Sequence, residues 1–265
     1  MEFENTTDYT LVAPYYDKTR NIHPEILKEC FRRIFRQTDF PERASILDAG
    51  CGTGQLSAPL IKSGHSVVGV DVSEAMLEVA RRKLASGDKA RFEVGDVRSL
   101  RFQDGTFDAI VASKLFQHVG NWESAVDEII RVTKDGGLFI YINETGAFSN
   151  AVRKQFQALC KERGFTNLYV GINDRSLLGV YLQSQKAEPI TIETQGLNWS
   201  KEVVYRDALE HLRLKLHSEF WALPDGVYDE ILEEVGEWIL KQPRGEDRVE
   251  KMHPHLKVEV YEVRK

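Results

Sequence analysis

The chain predicts an α/β domain built on a mostly parallel β-sheet with helices on both faces. Short apolar runs recur through residues 44–143, and stretches of helical periodicity separate them. Strands that alternate with helices imply βαβ crossovers, and such strands are buried on both faces. A third observation is the turn "GCGTG" (50–54), which follows the first apolar run directly and opens the next helix.

In chain order, residues 22–37 read as a helix. Pro24 suits its first turn, and Ile26, Leu27, Cys30, Phe31, Ile34 and Phe35 fall on one face. "ASILDAG" (44–50) reads as a buried strand, followed after Gly54 by a helix with Leu56, Leu60 and Ile61 inward. "HSVVGVDV" (65–72) is a second strand. Ser73 then caps a helix that buries Ala75, Met76, Val79, Ala80 and Leu84. "ARFEVGD" (90–96) and "FDAIVAS" (107–113) are further strands, with a turn at Asp104-Gly105 between them. A helix over 121–131 precedes Gly136-Gly137 and a fifth strand, "LFIYIN" (138–143). Beyond it the pattern predicts helices near 149–163, 200–216 and 224–241, a strand near 188–195 and a last strand, "LKVEVYEV" (256–263). The expectation is one domain over 1–265. Its ligand-binding core spans about 40–145, closed by strands near 188–196 and 256–263, and lid or substrate elements occupy about 1–37 and 146–250.

Composition narrows the function. A net charge of −6 supplies no global basic field, which weighs against nucleic acid as the partner. Three cysteines (Cys30, Cys51, Cys160) lie far apart without a CxxC pair, so the common zinc and iron–sulfur spacings are excluded and a reducing cytoplasm is expected. "MEFENTTDYT" does not have the basic-then-apolar pattern of a signal peptide, and the sequence has no apolar run of bilayer length. "HPH" (253–255) stands without the neighbouring carboxylates a metal site would want, so no metal is expected.

The glycine turn carries the chemistry. In an open parallel sheet, ligands lie beyond the carboxyl ends of the strands where strand order reverses, and the first βα turn marks that place. Glycines there let a ligand lie directly against backbone. The dinucleotide pattern G-x-G-x-x-G fails because position 55 is Gln55, and Asp48 is unhelpful beside a pyrophosphate. Asp48 does suit an ammonium group. Asp71, closing the second strand, stands where a carboxylate accepts from ribose hydroxyls. A ribose together with a cation describes S-adenosyl-L-methionine.

Four motifs in order, "ILDAGCGTG", "VVGVDVSEAML", "FEVGDVRSLRFQDGTFDAIVAS" and "VTKDGGLFIYIN", resemble the class I S-adenosylmethionine-dependent methyltransferases. The similarity is to the small-molecule type that includes the ubiquinone and menaquinone C-methyltransferases, and it covers residues 10–145 well and the rest loosely. It implies a Rossmann-like, seven-stranded, mostly parallel sheet with a C-terminal antiparallel strand and helical lid segments.

The resemblance also implies roles for residues. Asp48 orients the methionine end; Gly50, Cys51 and Gly52 lie under the cofactor, Cys51 through its backbone. Asp71 holds the ribose, Val72 and Met76 pack the adenine, Asp96 accepts from its amine and the Val97 backbone contacts the ring. Ser113 lies beside the amino-acid portion. Tyr16 and Arg20, in "YYDKTR", belong to a segment folding over the cofactor, with Arg20 pairing with its carboxylate. Plain structural roles stand beside these: Asp96 as a turn cap, Met76 as helix core, Arg20 as a solvated charge.

His118, in "SKLFQHV", is the candidate base for acceptors that must lose a proton, or else a packing residue. Tyr15 and Phe116 are candidate aromatic walls. Ser113-Lys114-Leu115-Phe116 replaces the Asn/Asp-Pro-Pro-aromatic motif of many enzymes that methylate planar amide or base nitrogens, so that class is disfavoured. His211, His217 and Trp221 either line a pocket or pack the lid. The reading is methyl transfer to a small-molecule acceptor by in-line displacement. Alternatives are a tRNA methyltransferase, a non-catalytic S-adenosylmethionine-binding module or sensor, and the disfavoured NAD(P) oxidoreductase. Acceptor atom and oligomeric state stay open.

Overall fold

Strand order, more than any single strand, decides where a ligand can lie in this chain. The computed structural model describes residues 9–84, 89–147, 149–166, 169–174 and 176–265. Residues 1–8 of the expected amino-terminal lid, and of the segment read as lacking a signal peptide, lie outside them.

Five strands lie parallel: β1 (Ser45–Ala49), β2 (Ser66–Asp71), β3 (Ala90–Val94), β4 (Phe107–Ala112) and β5 (Thr133–Thr145). Two more, β6 (Ala187–Ile190) and β9 (His255–Val263), pair antiparallel and complete a seven-stranded sheet of order β3-β2-β1-β4-β5-β9-β6. Between them in sequence come β7 (Lys201–Val204) and β8 (Val249–Met252), which form a separate antiparallel pair. β1 lies between β2 and β4, so strand order reverses there and the carboxyl ends of β1 and β4 flank a crevice. Ile46, Leu47, Ala49, Ala109, Ile110, Val111 and Ala112 are fully buried, as strands covered on both faces require.

The helices follow the periodicity. After a single turn, α1 (Tyr16–Thr19), α2 (Pro24–Gln37) begins on its proline and buries Leu27, Cys30, Phe31 and Ile34. α3 (Ser57–Lys62) buries Leu60, and α4 (Glu74–Leu84) buries Met76, Leu77 and Ala80. Ser73 caps α4 as expected, its hydroxyl accepting from the Met76 amide at 3.4 Å. α5 (Trp122–Val132) buries Ala125, Val126 and Ile129. α6 (Ala151–Glu162) is capped by Asn150, which accepts from the Arg153 amide. The remaining helices are α7 (Ser176–Ser184), α8 (Tyr205–Arg213) and α9 (Asp225–Leu240).

The chain groups into two compact units: Met1–Asn143, Val170–Leu197 and Leu256–Lys265 form the first, Glu144–Tyr169 and Asn198–His255 the second. One expectation gives way. The helix expected over 200–216 begins only at Tyr205, because "KEVV" (201–204) pairs with β8 as a strand. Two adjacent β-branched residues favour that extended state.

The first unit contains the sheet and the crevice. The second has its own core, in which Val152 and Phe156 of α6 meet Leu209 and Leu212 of α8 and Tyr228, Ile231 and Val235 of α9. Within it the buried Glu219 accepts from Arg153, Gln157 and Tyr169. Burial raises the affinity of Glu219 for a proton, but the Arg153 charge and these hydrogen bonds outweigh it and hold the carboxyl below its usual range. Among the described residues no helix is long and apolar enough to cross a membrane.

Candidate functional site

The site grows from the glycine turn behind β1. Gly50 and Gly52 have φ of +67° and +52°, a region L side chains rarely adopt. A Cβ added at Gly50 would come within 2.6 Å of Leu115 Cδ1. The turn is stitched to the end of β2: the Gly50 and Cys51 amides donate to the Val70 carbonyl at 2.8 and 3.0 Å. The Gly52 amide donates to Asp71 Oδ2 at 2.8 Å, and the Ser73 amide to Asp71 Oδ1 at 2.9 Å. Each Asp71 oxygen therefore carries one amide bond and keeps capacity for another donor. Burial raises the Asp71 pKa, against the pull of these backbone amides.

A cavity, about 630 Å³ when the space open to solvent is counted, opens at this point. Its walls take Gly50 and Gly52 from the turn, Asp71, Val72 and Met76 after β2, and Gly95, Asp96 and Val97 after β3. Ser113, Lys114, Leu115, His118 and Val119 follow β4, and Tyr9 and Tyr16 come from the amino-terminal segment. A second cavity of about 340 Å³ shares Tyr16, Gly50, Gly52, Ser113 and Lys114 with the first and adds Asp48 and Cys51. Five stretches of sequence thus converge on the carboxyl ends of β1, β2, β3 and β4.

Individual residues sharpen the picture. The Asp48 carboxylate is buried and accepts from Ser57 Oγ at 2.6 Å. Burial pushes it up to about 7, with the nearby Asp71 charge adding in the same direction. Burial also carries the Cys51 thiol well above its ordinary range. Ser113 Oγ is buried without a hydrogen-bond partner. Arg20 lines neither cavity; it is buried, not a solvated charge, with its guanidinium over the rings of Tyr9 (5.6 Å) and Tyr16 (5.3 Å).

Asp96 lines the cavity, yet both its oxygens accept from the Arg98 guanidinium, and Oδ1 also accepts from the Arg98 amide. It is a turn cap as well as a wall. His118 lines the cavity within a short 3-10 turn (Phe116–His118) and sits 2.8 Å from the Tyr9 hydroxyl. The expected aromatic walls fail: Phe116 is fully buried in the core, against Phe139 and Tyr141, and Tyr15 is 45% exposed. His211 and His217 lie 6.5 Å apart in the second unit, and His217 packs on Phe220.

Sequence reasoning missed several participants. Tyr9 carries no motif, and Lys114 stands out in sequence only for the class it excludes; in the fold it has a φ of +51° and lines both cavities. Gln55 was read as a broken dinucleotide pattern. In the fold it is a tether: it accepts from the Ile22 amide and donates to Asp17 and to the Arg20 carbonyl. Thr53 and Lys83 also bind Asp17, at 2.6 and 2.5 Å. The glutamine's polar reach beside a glycine turn was the available signal.

Comparisons with known proteins agree with this architecture. Residues 46–137 match the family model described as a methyltransferase domain, so the resemblance carried by the four motifs is borne out over that stretch. The chain is 35% identical over 152 residues to a demethylmenaquinone methyltransferase of Symbiobacterium thermophilum, covering 55% of this chain and 61% of that protein. It is 31% identical over 142 residues to a malonyl-[acyl-carrier protein] O-methyltransferase of Erwinia pyrifoliae, covering 54% and 53%. The aligned part is thus less than two thirds of the length of these curated relatives. The solved YcgJ protein of Bacillus subtilis shares the fold, with a TM-score of 0.58, 18% identity, and coverage of 92% of this chain and all of that one.

Proposed function

We propose that the chain transfers a methyl group from S-adenosylmethionine to a small-molecule acceptor. The observation that carries this is a single cavity at the strand-order switch point that joins the glycine turn, Asp71 after β2, Asp96 after β3 and Ser113 after β4. The methyltransferase-domain match over the same stretch supports it. The fit is concrete: the unpartnered Ser113 Oγ and the buried Asp48 carboxylate border the smaller cavity and suit the ammonium of an amino-acid moiety.

In this reading Asp71 accepts from ribose hydroxyls with its remaining lone pairs, while Val72, Met76 and Val97 pack the base. Asp96, already held by Arg98, accepts from the adenine amine with an unused lone pair. Gly50, Cys51 and Gly52 form the floor, Tyr16 covers it, and Arg20 fixes Tyr16 while its charge favours the carboxylate. Bound S-adenosylmethionine supplies an electrophilic methyl group. The protein's task is to exclude water and hold an acceptor in line behind that methyl. The relatives named above act on demethylmenaquinone and on a malonyl-acyl-carrier protein, which favours a non-nucleic-acid acceptor. We place the protein in the cytoplasm, and assign the choice of acceptor to residues 146–250.

The test is transfer of labelled methyl from S-adenosylmethionine into a metabolite extract with added tRNA. Label in a small molecule is expected. Label in tRNA moves the assignment to that substrate, and no transfer alongside clear S-adenosylhomocysteine binding leaves a sensor.

A further inference from the structure

The geometry points to Tyr9 and His118 as a proton-transfer pair that ionises a hydroxyl-bearing acceptor, a phenol or an enol, inside the 630 Å³ cavity. This rests on the methyl-transfer reading and names the acceptor class that the reading leaves open.

The two side chains are 109 positions apart in sequence, yet Tyr9 Oη and His118 Nε2 are 2.8 Å apart and both face the cavity. Both are held in place. The His118 amide donates to the Leu115 carbonyl, Phe116 beside it is fully buried, and the amides of Gly171 and Ile172 brace the turn through the Gln117 and Phe116 carbonyls. The Tyr9 ring meets His118 edge-on at 5.3 Å and Tyr16 at 5.8 Å, with the Arg20 guanidinium over its face. Such a fixed hydrogen bond is what general-base work needs.

The charges around the pair favour an anion beside it. Arg20 lies over Tyr9, and Lys114 Nζ lies 5.8 Å from the Tyr16 ring centroid. Of the carboxylates on the cavity wall, Asp96 is neutralised by Arg98 and Asp71 is held by two amides. An acceptor such as a thioether or tertiary amine has no proton to lose, so this pair would serve no purpose for it.

With the imidazole proton on Nδ1, Nε2 accepts from the Tyr9 hydroxyl. The acceptor's O–H proton passes to the Tyr9 oxygen as the Tyr9 proton passes to Nε2, leaving an acceptor oxyanion, a neutral phenol and an imidazolium. A lone pair of that oxyanion forms the new C–O bond while the methyl carbon's bond to sulfur breaks, its electron pair staying on sulfur. For an enol, the oxyanion lone pair instead re-forms C=O while the C=C π pair forms the new C–C bond to the methyl carbon, whose bond to sulfur breaks as before. His118 then returns its proton to solvent.

The experiment uses para-nitrophenol, whose phenolate absorbs visibly, added to the full chain saturated with S-adenosylhomocysteine at a pH one unit below the free phenol's pKa. The expected result is a phenolate band with wild type well above the roughly one-tenth ionised in protein-free buffer at that pH. With Tyr9→Phe or His118→Gln, para-nitrophenol still binds but stays neutral. With S-adenosylmethionine, Tyr9→Phe should lower kcat for O-methylation of this probe by about 100-fold at unchanged KM. The inference is overturned if wild type leaves the probe neutral or unbound, or if Tyr9→Phe keeps both the band and kcat, which would make Tyr9 a cover only. Failure of S-adenosylhomocysteine to bind wild type sinks the methyl-transfer reading instead, so the two failures are distinct.

Discussion

Asp48 and Asp71 stand at the ends of neighbouring strands, and burial raises the pKa of both. For Asp48, a folded pKa of about 7 against an ordinary 3.8 means the folded chain holds its proton more tightly than the unfolded chain. That stability is fully present below about pH 4 and is lost as pH rises towards about 7. The span amounts to on the order of 4 kcal/mol, and Asp71 acts in the same direction. Asp48→Asn should flatten the dependence over that window, as urea unfolding of the ligand-free protein at its two ends would reveal; an unchanged slope would mean another group titrates. Asp71→Asn keeps the shape but removes the charge that would accept from ribose, so S-adenosylhomocysteine affinity should fall about 10- to 100-fold by calorimetry. At this scale the sequence was a good guide to which residues line the site and a poor one to what they touch. Asp71 was visible at the end of an apolar run, whereas its bonds to Gly52 and Ser73 depend on how the turn folds back.

Among elements, the amino-terminal segment shows how little periodicity says about a tether. Asp17 accepts from Thr53 and Gln55 and pairs with Lys83, and those bonds together outweigh its burial and lower its pKa. Asp17→Ala should loosen this segment, giving faster limited proteolysis ahead of α2 and weaker S-adenosylhomocysteine binding with little change in global unfolding. Equal proteolysis rates would show that Gln55 suffices. By contrast α2 was legible throughout, from Pro24 at its start to the buried Ile34. Ile34→Ala should cost about 2–5 kcal/mol in denaturant unfolding, because the residue is fully buried and truncation removes its packing. The misread helix at 200 fails for the opposite reason: four residues of strand form by pairing with β8, some fifty positions on, and no local window contains both.

For the molecule as a whole, two compact units share one chain, and the described cavities used above lie in the first. In the second, Glu219 is the buried acceptor for Arg153, Gln157 and Tyr169. Glu219→Leu would remove the buried carboxylate to which Arg153, Gln157 and Tyr169 donate, a loss of about 3–5 kcal/mol in the stability of that unit; a melting curve unchanged from wild type would contradict it. Ligand linkage reads out the first unit: S-adenosylhomocysteine at a hundredfold excess over its Kd should add about 2.7 kcal/mol, whereas NAD should add nothing. The sequence by itself determined the five parallel strands, the glycine turn, the acidic residues that close strands and the order of the four motifs. Each of these is a pattern within a few residues, set by side-chain period and backbone sterics. Tertiary structure decided that Gln55 is a tether, that Asp96 pairs with Arg98 and that Ser113 is left unpartnered. It also brought Tyr9 to His118 across 109 positions. Partners of that kind are chosen by proximity in space after the chain has packed, and local sequence carries no record of who will be near.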